Sequence, residues 1–242
     1  MQLNNKYFIG IDLGTSCVKA VLFDGSGNAL KTASCGYTLL QPKNGWAEQN
    51  PEEWWNAAKN TLTEVSDGIE YISGIGLTGQ MHGLVMLDEK NEVIRPAIIW
   101  CDQRTAAECK QITETVGKER LIEITANPAL TGFTASKILW VKNNEPENYY
   151  KCKHILLPKD YIRYKLTGEF ATDVSDASGM QLLDIKKRSW SDEVLKKLGI
   201  NKTLLPKVYE SPEITGYVNI ELCKGTPVIA GAGDNAAAAV GT

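Results

Sequence analysis

The opening 36 residues constrain the fold most, because they hold three strand-like stretches before any helix. Residues 7–12, 17–24 and about 29–36 read as strands, and the GSGN stretch at 25–28 is a hairpin signal between the second and third. The chain therefore begins antiparallel. A doubly wound sheet alternates strand and helix from its start and does not fit this opening.

The rest of the chain supplies a helix, further strands and then a mostly helical middle. Asn50 is placed to cap a helix over about 51–66, with Pro51 at its first position and Glu53 closing a capping box. Residues 72–78 read as a buried strand leading into the loop GQMHG at 79–83, and 84–88 and 93–100 read as a second pair of strands. Helical spacing recurs over 104–116, 133–142, 159–166 and 191–198. The short regions around Pro146, Pro158, Pro206 and Pro212 are turns within a domain, and neither an internal repeat nor a low-complexity linker divides the chain. The expected class is α/β: a mixed five-stranded sheet flanked by helices, with a helical insertion.

A chain of 242 residues with 43% hydrophobic and 23% charged side chains buries a full core without staples. Its net charge of −3 and scattered basic residues leave no stripe for nucleic acid. Six cysteines without C-x-x-C spacing read as reduced thiols. No stretch reaches the roughly 20 apolar residues of a membrane span, and residues 1–7 (MQLNNKY) hold no apolar signal segment, so a soluble, cytoplasmic protein is expected.

Chemistry concentrates at the two ends of the chain. Residues 228–240 (VIAGAGDNAAAAV) form a short apolar strand that breaks at glycines, delivers Asp234, and passes directly into an alanine helix. An aspartate there reads first as an N-cap. Unpaired helix N–H groups also keep such a carboxylate ionised, and the glycines let a substrate approach the backbone. Asp12 ends the first strand beside another glycine turn. Two strand-end carboxylates beside tight glycine turns point to a polyphosphate and metal site.

Seven segments, in order and spacing, resemble the amino-terminal half of the FGGY carbohydrate kinases: 10–16 (GIDLGTS) with Lys19, 46–55 (WAEQNPEEWW), 79–88 (GQMHGLVMLD), 95–104 (RPAIIWCDQR), 156–161 (LLPKDY), 166–179 (LTGEFATDVSDASG) and 231–241 (GAGDNAAAAVG). The resemblance covers nearly the whole chain. It implies the actin-like, ribonuclease H-like fold. The GQMHG loop and the GDNAA segment are most similar to the branch that phosphorylates D-xylulose on its 5-hydroxyl with ATP and Mg2+. Residues 1–242 resemble the sugar-binding domain alone. The resemblance places the adenosine pocket and a second phosphate loop in a carboxy-terminal domain beyond Thr242, so the chain by itself is expected to be inactive.

The resemblance also implies roles for individual residues. Asp234 matches the general base. Met81 and His82 match the pair that contacts the sugar, and Asp102, Arg104 and Asn235 fall at positions bordering or touching it. Asp12 acts on magnesium through its water shell, while Gly14, Thr15, Ser16 and Lys19 serve the phosphates; a plain hairpin turn is the alternative for 14–16. Cys101 stands where relatives commonly carry asparagine. His154 reads as structural, Trp54 and Trp55 as helix packing, and Trp100 as a core tryptophan with pocket lining as the alternative. Asp173, Asp176 and Asp184 read as loop caps near the cleft. The implied partners are a pentulose and ATP, and relatives suggest a homodimer. Ribulose, gluconate or glycerol are alternative substrates, and a sugar-binding module without turnover is the alternative for the chain alone.

Overall fold

A computed structural model describes residues 6–241; residues 1–5, part of the stretch read for a targeting signal, and Thr242 lie outside that range. The opening strands are Tyr7–Leu13, Cys17–Asp24 and Ala29–Gly36, paired antiparallel in sequence order. Asp24 closes the hairpin turn by accepting the N–H groups of Ser26 (2.8 Å) and Asn28 (2.9 Å). Alternation along the first two strands sends Ile9, Ile11, Leu13, Val18, Ala20 and Leu22 to one buried face. Asp12, opposite Lys19 in the ladder, points to the other.

The buried face is covered by the helix Pro51–Ser66. Its Trp54, Trp55, Ala58, Thr61, Leu62 and Val65 recur at three- and four-residue intervals and are buried, as a helix facing a sheet requires. Asn50 caps it as expected, accepting the Glu52 N–H at 3.0 Å. Glu53 does not close a capping box. Its carboxylate accepts the N–H of Thr38 instead, tying the helix start to the loop after the third strand.

The fourth strand, Gly74–Gly79, lies parallel to the first, and the chain returns to its far side only at Pro227–Ile229 and Ala232–Gly233. The sheet is mixed, as expected, but it has seven segments instead of five. The fifth position is split in two, and Ile214–Tyr217 adds an antiparallel edge. The split has a steric cause. Gly231 has φ of 73°, and a Cβ there would lie 1.9 Å from the Leu77 carbonyl oxygen, so only glycine passes the fourth strand at this point.

Between Gly79 and Pro227 the chain builds a second core, mostly of helices. Helices Ala106–Val116, Lys118–Thr125, Thr134–Asn144 and Asp192–Leu198 enclose Ile112, Leu121, Ile138, Leu139 and Leu195. The expected second hairpin is shorter than its apolar run. Val85–Leu87 pairs with His154–Leu156, while residues 93–100 contribute only Ala97–Ile98 and two isolated bridges. The β-like apolar run of 93–100 is set by its place between the two cores, not by a ladder. All six cysteines are free, and among the described residues no helix is long and apolar enough to cross a membrane.

Candidate active site

Asp234 begins the helix Asp234–Gly241 and is exposed. Its Oδ1 accepts the N–H of the adjacent Asn235 at 2.8 Å, from the first position inside the helix and not from the cap position before it, and Oδ2 has no hydrogen bond among the described residues. One oxygen holds the helix and the other is open. Asp234 and Asn235 line a pocket of about 260 Å³ together with Thr15, Met81, His82 and Trp100. Met81 packs on the strand that delivers Asp234: a Cβ on Gly233 would come within 2.9 Å of Met81 Cγ. Asn235 Nδ2 reaches only the Met81 sulfur, at 4.0 Å, which leaves its amide available to a ligand.

His82 is held in an uncommon backbone conformation, φ 65°, by contacts on every side. Its carbonyl accepts from Thr134 Oγ1 (3.1 Å) and Lys137 Nζ (2.8 Å), and its ring lies edge-on to Phe133 with centroids 4.4 Å apart. Nδ1 is 2.9 Å from the Gly179 carbonyl, so Nδ1 carries the proton and Nε2 is left as an acceptor. Burial is the main force lowering its pKa below the ordinary histidine value, with the Lys137 charge adding to it; the Gly179 carbonyl and Asp234 pull the other way. The ring is neutral at pH 7. Gly179 is obligatory here, since a Cβ would sit 2.4 Å from His82 Cε1.

Thr15 links the glycine turn to this pocket. Trp100 is not a core tryptophan: it is 46% exposed, and its Nε1 donates to Thr15 Oγ1 at 2.9 Å. The turn itself is fastened from below. Gln49 Nε2 donates to the Thr15 carbonyl (2.7 Å), and Gln80 Nε2 donates to the Gly14 carbonyl (3.3 Å) and to Gln49 Oε1 (2.9 Å). Tyr37 also donates to the Gly14 carbonyl. Gly14 N–H closes on the Cys17 carbonyl, so the expected amide concavity rests on Thr15 and Ser16. Gln49 and Gln80 both lie inside the quoted motifs, but no local pattern marks them, because their burial and their bonds to the turn arise only when distant segments meet.

Asp12 and Lys19 do not line the 260 Å³ pocket. They border an apolar groove of about 690 Å³ between the sheet and the terminal helix. The protein packed around Asp12 pushes its carboxyl up, the charge of Asp234 adds to this, and Lys19 opposes it. The two strand-end carboxylates thus interact across adjoining cavities.

Asp102 and Arg104 belong to the wall behind Trp100, not to the pocket. Asp102 is fully buried and accepts from Ala47 N–H (2.6 Å), Arg104 N–H (2.9 Å) and the Arg104 guanidinium (2.7 Å). Arg104 pairs with Glu48 at 2.8 Å and lies 3.6 Å over the Trp46 ring. Their charges are paired within the protein and do not face the pocket. Cys101 is half-buried on the same loop. His154 is structural, stacked on Phe170 at 3.8 Å, and Asp184 caps its loop by accepting from Lys186 and Lys187 N–H. Asp173 caps the helix Val174–Ser178, but it and Asp176 are fully buried around Lys159, which a loop-cap reading misses.

The family model for the N-terminal domain of FGGY carbohydrate kinases matches residues 7–241, and the chain belongs to that family. It is 46% identical over 245 residues to a xylulose kinase of Lactococcus lactis and 43% identical over 241 residues to one of Escherichia coli, covering 97% of this chain and 49% of each relative. A crystal structure described as a xyloylose kinase from Brucella ovis superposes with a TM-score of 0.89 at 38% identity, over 95% of this chain and 48% of that one. The fold is the actin-like, ribonuclease H-like fold of these sugar kinases. The chain spans about half the length of the curated relatives it matches.

Proposed function

We propose that residues 1–242 are the sugar-binding, base-carrying domain of a xylulokinase, which transfers the γ-phosphoryl group of ATP to the 5-hydroxyl of D-xylulose. The open Oδ2 of Asp234, in a pocket shared with Met81, His82 and Trp100, carries this reading. Identity of 46% and 43% to xylulose kinases supports the choice of sugar. Phosphoryl transfer leaves little covalent work to the protein, so positioning and charge dominate. Asp234 takes the hydroxyl proton as the oxygen bonds to the γ-phosphorus and the bond to the β,γ-bridging oxygen breaks, releasing ADP. Met81 packs on the carbon chain, His82 Nε2 accepts from a sugar hydroxyl, and the Asn235 amide meets another. Trp100 closes one side. Thr15 and Ser16 face the phosphates, with Lys19 as a more distant cation.

Among the described residues no cluster of three or more metal-ligating side chains exists. Asp12 nevertheless fits magnesium, which keeps most of its waters and arrives with a nucleotide: the residue reaches solvent, and its carboxyl is pushed up first by the protein packed around it and then by the charge of Asp234, a repulsion that a cation relieves. Bound there, magnesium would neutralise phosphate charge. We place the adenosine pocket in a second domain outside residues 1–242, in keeping with relatives of twice the length, and the working protein in the cytoplasm, as a homodimer measurable by light scattering.

The full-length protein is expected to release ADP in the presence of ATP and D-xylulose. Asp234→Asn should lower turnover by about 10²- to 10⁴-fold, the usual worth of a general base; unchanged turnover would sink the assignment. A panel of xylulose, ribulose, gluconate and glycerol decides the sugar by kcat/KM. The chain of 242 residues alone should bind xylulose in calorimetry without releasing ADP, because half the cleft that excludes water is missing.

A further inference from the structure

Beside the pocket lies a buried group of charges that the proposed chemistry does not use. Lys159, Asp160, Arg163, Asp173 and Asp176 all have no exposure. Lys159 Nζ is 2.7 Å from Asp160 Oδ1, 2.9 Å from Asp173 Oδ1 and 3.2 Å from Asp176 Oδ2, and Arg163 pairs with Asp160 at 2.7 Å. Burial alone would lower the Lys159 pKa; the three carboxylates outweigh it and hold the ammonium above its ordinary value. Burying so many charges costs more than an apolar core of equal volume. What it secures is shown by where its hydrogen bonds lead.

Two arms run from this cluster to the strand that delivers Asp234. Arg163 donates to the carbonyl of Ala230. Asp173 Oδ2 accepts the N–H of Ser175 (2.8 Å), the Ser175 hydroxyl (2.5 Å) and the Ser211 hydroxyl (3.0 Å). With its proton committed to Asp173, Ser175 Oγ has a lone pair left, and it accepts the N–H of Gly233 at 3.2 Å. Ala230 and Gly233 flank the break at Gly231, and Gly233 is bonded directly to Asp234. The same short helix that carries Ser175 ends at Gly179, whose carbonyl fixes His82.

We propose that Ser175 is a positioning residue for Asp234: anchored through Asp173 to the Lys159 cluster, it sets the Gly233 peptide and so aims the carboxylate. This rests on the reading of Asp234 as the base. In the full-length protein, with D-xylulose and ATP, Ser175→Ala should lower kcat about 10- to 100-fold, as a small misplacement of a reacting group does, while KM for the sugar changes less than about threefold. Ser175→Thr, which keeps the oxygen, should restore most of the rate. Ser211→Ala removes another donor to the same Asp173 oxygen without touching Gly233, and kcat should stay within about twofold.

The decisive measurement is a double-mutant cycle. If Ser175 acts through the carboxylate, adding Ser175→Ala to Asp234→Asn should leave the residual rate unchanged. A full additional loss in that background overturns the proposal, as does a wild-type kcat in Ser175→Ala while Asp234→Asn is impaired. If Asp234→Asn is itself fully active, the base reading fails and Ser175's role fails with it, an outcome separable from the other two. Should Ser175→Ala not fold, Ser175→Cys carries the same cycle with a weaker acceptor, and the same additive loss overturns the proposal.

Discussion

At the residue scale the pocket is set by what each polar group has left after the protein has used the rest. Asp234 spends one oxygen on its helix and keeps one, whereas Asp102 spends both on Ala47 and Arg104. His82 spends Nδ1 on Gly179 and keeps Nε2. Because burial lowers its pKa from the ordinary 6.5, the ring is neutral through physiological pH and loses its acceptor only on acidification. On the proposed function, kcat/KM of the full-length protein for xylulose should therefore stay level as pH falls through the ordinary histidine value and drop only at more acid pH. Comparing that profile with His82→Asn tests the assignment: an acid limb that persists unchanged in the variant would belong to another group. That Asp234, Met81 and His82 lie at one pocket was legible, because motif and glycine setting mark them. It was not legible for Trp100 or Asp102, whose exposure depends on which of two neighbouring side chains the loop turns outward.

At the scale of the element, the broken strand over 227–233 matters most. Its break is enforced at Gly231, where the Leu77 carbonyl leaves no room for a Cβ and φ is positive. Gly231→Ala should destabilise the protein by more than the 1–3 kcal/mol of left-handed strain alone, since the collision with the fourth strand adds to it. Denaturant unfolding would show this, and a loss below about 1 kcal/mol would mean that the strand shifts freely. The sequence pattern shows that this strand stops at glycines. It does not show that the strand resumes at Ala232–Gly233 on the same neighbour, because that pairing needs the fourth strand in place. In the same way the helix Pro51–Ser66 was plain from its cap and periodicity, while Glu53 went to Thr38, a partner 15 residues away that no local rule provides.

Across the whole molecule there are two cores, and buried charges hold the segments that line the pocket. Lys137, on the helix Thr134–Asn144, is fully buried behind His82, and burial drives its pKa from 10.5 down to about 7. A lowered folded-state pKa means that the unfolded chain binds the extra proton between those values, so this group contributes stability at alkaline pH that is lost as pH falls toward 7. Unfolding free energy at about pH 9 minus that at about pH 7 should therefore be larger for the parent chain than for Lys137→Met. An equal difference in both would remove Lys137 as the cause. The sequence by itself determined the antiparallel start, the principal helices, the glycine breaks and the two strand-end aspartates, because each is written in neighbouring residues through periodicity, capping and turn chemistry. Only the tertiary structure decided the sixth sheet position, the exposure of Trp100, the burial of Asp102 and the charges around Lys159. Those depend on contacts between segments far apart in the chain, where packing space and the supply of hydrogen-bond partners are fixed only after both cores have closed.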